Sequence, residues 1–190
     1  MAVKKWYNNG VLADGAINAI ADALSDNLGW LSFVYGRAER LCTVVNGRKF
    51  YTPNAFVGGK EYKQLLPDDI RGNYCFFYLS DPQTTELNRR GRQILYTTPF
   101  SLVVWVDYRT IEQEYGQSNS ERLKMDILNL LNNHVFMRNG TFTINRVYER
   151  AENVWNGFTV DETDNQNMMS PFGGFRFEGE IIVKSNCETL

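Results

Sequence analysis

The feature that most constrains this chain is the run from Phe100 to Val106, F-S-L-V-V-W-V, interrupted only by Ser101 and closed by Asp107. β-Branched and aromatic side chains dominate it and it is too short for an ordinary helix, so it predicts a strand buried on much of both faces. Ile94, Leu95 and Tyr96 lead into it, and Pro99 stands at its start, where a missing N–H is tolerated. A polar break then precedes the amphipathic run 121–133, with Leu123, Ile127, Leu130, Leu131 and His134 on one face. Ser118 and Glu121 have the S-x-x-E form of a capping box, which predicts a helix packed on the strand. His134 closes the apolar face near the helix C-terminus and reads as structural.

Other local patterns supply the remaining elements. Ile17, Ile20, Ala21, Leu24 and Leu28 recur at helical spacing behind Asp14, a candidate N-cap, and Gly29 ends the helix. Residues 31–35 read as a short strand and 37–52 as a hairpin, because Asn46-Gly47 suits the positive φ angles of a two-residue type I′ turn. Its arms mix Val and Phe with Arg40, Arg48 and Lys49, leaving one face wet unless a partner covers it. Residues 53–72 lose all periodicity around Pro53, Gly58, Gly59, Pro67 and Gly72, and read as a long loop carrying Phe56, Tyr62 and Leu65. Tyr74 to Leu79 is a second central strand candidate, followed by a polar excursion in which Arg89, Arg90 and Arg92 cluster around Gly91. Residues 141–149 predict another strand. Residues 150–172 read as an acidic loop or arm, within which Trp155 and Phe158 flank Asn156-Gly157 as a small hairpin or projection. The last element alternates: Phe175, Phe177, Gly179, Ile181 and Val183 face one way, and Arg176, Glu178, Glu180 and Lys184 the other, as in a half-buried strand.

Together these predict a single α+β domain over 1–190: a mixed, mainly antiparallel sheet packed by two helices, with an extended β-hairpin and long loops. A chain of 190 residues removes roughly 70% of its unfolded surface from water and needs no metal or disulfide to fold. No stretch approaches the ~20 apolar residues that cross a bilayer, and no apolar segment of signal-peptide type follows the basic start, so neither membrane insertion nor export by that route is expected.

Chemistry is harder to find than architecture. Cys42, Cys75 and Cys187 are widely spaced, form no C-x-x-C and have only His134 to join them, so no metal or other cofactor is expected. Twenty basic against twenty-two acidic residues provide no general field for nucleic acid. Arg89, Arg90 and Arg92 form a local exception that suits a solvated turn, a subunit or docking contact, or phosphate contact. Asp161, Glu162 and Asp164 lack the spacing and glycine of an EF-hand loop and read as a solvated acidic loop. Phosphate cradles and G-x-S-x-G are missing, and Glu61-Tyr62-Lys63 is an E-x-K in a loop that precedes Asp107, the wrong order for a two-carboxylate nuclease. A small enzyme of another type would need a pocket gathering Asp107, Glu112 and His134. Catalysis is therefore not expected.

The order of elements, with residues 101–107 followed by 118–133, 141–149 and 175–183, resembles the tail-completion and tail-terminator proteins of tailed bacteriophages, and in a looser way the neck ring proteins of crAss-like phages. The resemblance implies a structural virion protein, made in the host cytoplasm, that assembles as a homo-oligomeric ring in the neck. Its partners would be the portal, connector or adaptor, the tail proteins, and the DNA passing through the lumen. The hairpin and loop at 37–72 exceed the shorter members of that group. Under this implication Arg48, Lys49, Phe56, Tyr62, Leu65, Trp155 and Phe158 become candidates for subunit contacts, and Arg89, Arg90 and Arg92 for docking or DNA contact. Asp161, Glu162 and Asp164 become candidates for the channel wall.

Overall fold

The computed structural model describes residues 4–6, 12–59, 61–68, 72–88, 93–111, 120–135, 140–160 and 165–186. In chain order the elements are β1 (Lys4–Trp6), α1 (Ala13–Asn27), β2 (Phe33–Val45), β3 (Arg48–Gly58), β4 (Glu61–Gln64), β5 (Tyr74–Leu79), β6 (Thr84–Asn88), β7 (Gln93–Asp107), α2 (Ser120–His134), β8 (Gly140–Tyr148), the short α3 (Ala151–Val154) and β9 (Phe172–Asn186). Among these residues the strands form a nine-stranded sheet in the order β4-β3-β2-β5-β7-β9-β8, with β1 beside β2 and β6 beside β7. Only β1–β2 and β2–β5 run parallel, so the α+β, mainly antiparallel expectation holds.

The spine is the pair β7–β9, in register over all fifteen residues of each strand, from Gln93↔Asn186 to Asp107↔Phe172. From Phe100 to Asp107 β7 is buried on both faces, as the composition of that run demanded. Leu102, Val104 and Val106 join a core with Ile17, Ile20 and Leu24 of α1 and Leu123, Ile127 and Leu131 of α2. Val103 and Trp105 enter a second core on the other face with Tyr35, Tyr74, Phe76, Val154 and Trp155. Each such side chain, fully buried, contributes about 1.5–3 kcal/mol. The alternation of β9 is also realised, with Phe175, Phe177, Gly179, Ile181 and Val183 all turned into the helical side.

Pro99 lies inside the strand rather than at its start. Its carbonyl accepts the N–H of Ser80, just past β5, while β6 pairs only as far as Thr97. The two backbone groups of one strand residue point the same way, so the missing N–H falls at the gap between β5 and β6 and costs no ladder bond to β9.

Several local expectations need correcting. The short strand at 31–35 and the first arm of the hairpin are one strand, β2, which changes partners along its length. Residues near Phe33 pair with β5, and Ala38 to Val45 pair with β3. One extra residue on β2 between Val34 and Arg37 makes the bulge that re-aims it. Half of the expected loop at 53–72 is strand: β3 continues through Pro53 to Gly58, and β4 returns along it. Helix α1 begins at Ala13 with Leu12 as its uncapped N-cap, and Asp14 sits in the first turn, 3.6 Å from Arg37. Ser118 lies outside the described residues.

Candidate assembly surface

The β2–β3 hairpin leaves the packed body, and its course originates in its turn. Asn46 and Gly47 have φ of 50° and 78°, the left-handed pair that a two-residue hairpin requires, so Val45 faces Arg48 and β2 and β3 run on as a ribbon. From Glu39 to Lys49 every residue is exposed, on both faces of the ribbon. The register places Leu41, Thr43 and Val45 on one face with Arg48, Phe50 and Thr52, and Cys42 and Val44 on the other with Lys49 and Tyr51. Leu41 is 50% exposed, Val44 63% and Val45 46%. The sequence expectation was one wet face; the structure leaves both open.

The base of this arm is clamped to the body. Thr159 donates its N–H to the Tyr51 carbonyl at 2.7 Å and accepts the Tyr51 N–H on its hydroxyl at 3.0 Å. Arg40 donates to the Gly157 carbonyl at 2.8 Å and lies 3.8 Å from the centre of the Tyr51 ring. The ribbon therefore starts from a defined anchor and projects from there.

The expected contact residues divide accordingly. Arg48 and Lys49 are exposed on the arm, and Tyr62, 62% exposed on β4, packs its ring against half-buried Phe56 at 5.4 Å. Phe158 is half-buried between Phe76 and Tyr78. Leu65 and Trp155, by contrast, are fully inside the second core, Leu65 beside Tyr74 and Trp155 against Phe76 and Trp105. Neither is available to a neighbour, which corrects the expectation for both. The segment around Asn156-Gly157 is not a hairpin either: α3 and the turn after it form a lid on the sheet. Arg176, expected on the wet side of β9, is buried beneath that lid, donating to the Asn156 carbonyl and to Glu178 at 2.7 and 2.8 Å. Arg89, Arg90 and Arg92, and likewise Asp161, Glu162 and Asp164, lie outside the described residues. Leu41, Val44 and Val45 are the surface residues that sequence reading missed. Their signal was present in the apolar content of the first hairpin arm.

The end of β7 has a structural arrangement of its own. Asn73 accepts the Asp107 N–H at 2.7 Å and donates to the Trp30 carbonyl and the Thr110 hydroxyl. The Asp107 carboxylate accepts from the backbone N–H and guanidinium of Arg109. Burial by itself would raise the Asp107 pKa, but the hydrogen bonds and charge of Arg109 outweigh it and hold the group below its ordinary value. Glu149 is likewise desolvated yet held low by Lys124 and Ser120, while burial and the Glu149 charge push Tyr108 up to about 12. A cleft of about 350 Å³ beside them is floored by Trp105, Val154 and Phe172 and does not include Asp107. Glu112 and the side chain of His134 lie outside the described set, so the trio with Asp107 is not assembled among the described residues. Among those residues no three His, Cys, Asp or Glu side chains gather as a metal site, and no helix is long and apolar enough to cross a membrane. Cys75 is buried with its thiol pushed well up by desolvation, whereas Cys42 is exposed on the arm. Compared with protein-family models and with curated proteins, the chain matches none.

Proposed function

We propose that the chain is a structural subunit of a ring at the head-to-tail junction of a tailed phage, joining the connector to the tail around the DNA channel. The observation that carries this reading is the anchored arm with Leu41, Val44 and Val45 open to solvent on its two faces. A two-stranded ribbon is marginal in water by itself, and apolar side chains on both faces are accounted for when neighbours cover them. A contact between an arm and a different surface of the next copy is head-to-tail, and such contacts close into rings when the rotation allows. The portal or adaptor and the tail proteins are the further partners in this reading, and the DNA passes through the lumen.

Sedimentation velocity and native mass spectrometry of the purified protein, with and without its connector, test the proposal. A discrete closed oligomer is expected, alone or on the connector, together with density for the subunit in electron micrographs of phage necks. A protein that stays monomeric under both conditions and is absent from virions would sink it.

A second reading, a nucleic-acid-binding accessory protein, is favoured by one observation. The sequence carries Arg89, Arg90 and Arg92 within four residues, and Thr84 to Leu87 on the strand before them are exposed. Gel-shift titration separates the two: binding that falls steeply with salt and is lost on Arg→Ala substitution there supports the second reading.

A further inference from the structure

We propose that the arm of one copy lies along the outer face of α1 of a second copy, with the arm face of Leu41, Val45 and Phe50 on Leu12, Gly15 and Ala19, and Arg48 on Asp22 and Asp26. The inference rests on the assembly reading above in requiring a second copy, and it names the two surfaces that meet. Three features of the chain carry it: charge, length and surface character.

Between Glu39 and Glu61 the sequence contains no acid, and its bases include Arg40, Arg48 and Lys49. Arg40 is engaged with Gly157, so Arg48 and Lys49 are the charges the tip presents. Helix α1 is the reverse: it has Asp14, Asp22 and Asp26 and no base. Neighbouring strands supply bases to it. Lys5 lies against both Asp22 and Asp26, at 2.9 and 2.8 Å, and Arg37 lies between Asp14 and Glu39. Three carboxylates on a helix without a base complement the guanidinium and ammonium groups at the tip of the arm.

The dimensions agree. Leu41 to Val45, which pairs with Arg48, spans ~14 Å of strand, and Leu12 to Asp22 spans ~15 Å of helix. Both surfaces also change character in the same direction. On the arm, Leu41 lies toward the base and Arg48 at the tip. On the helix, exposed Leu12 and the small, partly exposed Gly15 and Ala19 precede the acidic end. Small residues let the ribbon lie close, so the apolar face of the arm meets backbone and methyl groups while its charge meets carboxylates.

Charge exchange and cysteine trapping on the full chain test the contact. Arg48→Asp alone, and Asp22→Lys with Asp26→Lys alone, should each weaken self-association about tenfold, and combining them should restore it. In a Cys42→Ser, Cys187→Ser background, Thr43→Cys with Ala19→Cys should give an oxidised ladder of covalent oligomers, and Thr43→Cys with Thr141→Cys none. The trap needs no change at the aspartates, so it decides the matter if the lysine variants misfold. Assembly indifferent to every charge change, or an empty ladder under conditions where the wild type assembles, overturns the docking and leaves the ring reading standing. A wild type that is monomeric at all concentrations, with and without connector, removes both. A salt-sensitive gel shift abolished by Arg48→Asp, with self-association untouched, assigns the arm to nucleic acid instead.

Discussion

The β7–β9 spine and the β2–β3 arm are both long antiparallel pairs, yet they relate to water in opposite ways. In the spine's centre, Leu102–Val106, successive side chains enter one core or the other, and even Arg176 opposite them is covered and neutralised. On the arm, side chains of similar composition reach solvent on both faces. Strand propensity is alike in the two; the layers stacked on them are not. The comparison shows that apolar content alone does not make a core strand, and that an apolar ribbon without a layer is a surface waiting for one.

The comparison can be broken hardest at the lid. Trp155→Ala removes a fully buried indole from between Phe76 and Trp105, and should cost about 3–5 kcal/mol in urea unfolding followed by tryptophan fluorescence and circular dichroism. A cost near zero would mean that Trp155 belongs to the surface after all. Next comes Gly179, where an added Cβ would collide with the backbone carbonyl of Thr143 on β8. Gly179→Ala should destabilise by about 3 kcal/mol, and hydrogen exchange should show protection lost first along β8.

On the arm the effects shrink and become local. Gly47→Ala forces a side chain into φ 78° and should cost about 1 kcal/mol. Amide exchange should speed up over 39–51 while the unfolding midpoint of the body stays put; a shift of the global midpoint by the full amount would show that arm and body fold as one unit. Acid titration sharpens the contrast within the body. Because the Asp107 pKa is lower folded than unfolded, its contribution is complete above the ordinary carboxylate pKa of 3.8 and fades as pH falls below it. Asp107→Asn should therefore shallow the acid limb of the stability curve. Smallest of all, Val45→Ser should change monomer stability by no more than about 0.5 kcal/mol while weakening self-association.

Much of this fold was legible because it is local. Asn46-Gly47 specifies its turn through backbone sterics, the spacing of Leu123, Ile127 and Leu131 specifies a helix face, and Phe175 to Val183 declares its inner side by alternation. Where sequence reading failed, the missing information came from distant residues. Trp155 sits in an aperiodic, polar stretch and looked like a projecting contact, yet Phe76 and Trp105 are what bury it. Leu65 looked like loop surface until β4 folded back on β3. The candidate assembly surface was half legible: its bases Arg48 and Lys49 were identified, but its apolar part was not, because exposure depends on which layers are absent.

By itself, then, the sequence determined the turn, the two long helices and the strands of the spine, since backbone conformation and side-chain periodicity act over a few residues. Tertiary structure alone decided that β2 leaves one neighbour for another at its bulge, that the 151–158 segment is a lid, and that the arm carries no layer on either face. Those outcomes follow from packing between elements far apart in the chain, where the hydrophobic effect is non-directional and chain topology selects which apolar surfaces meet.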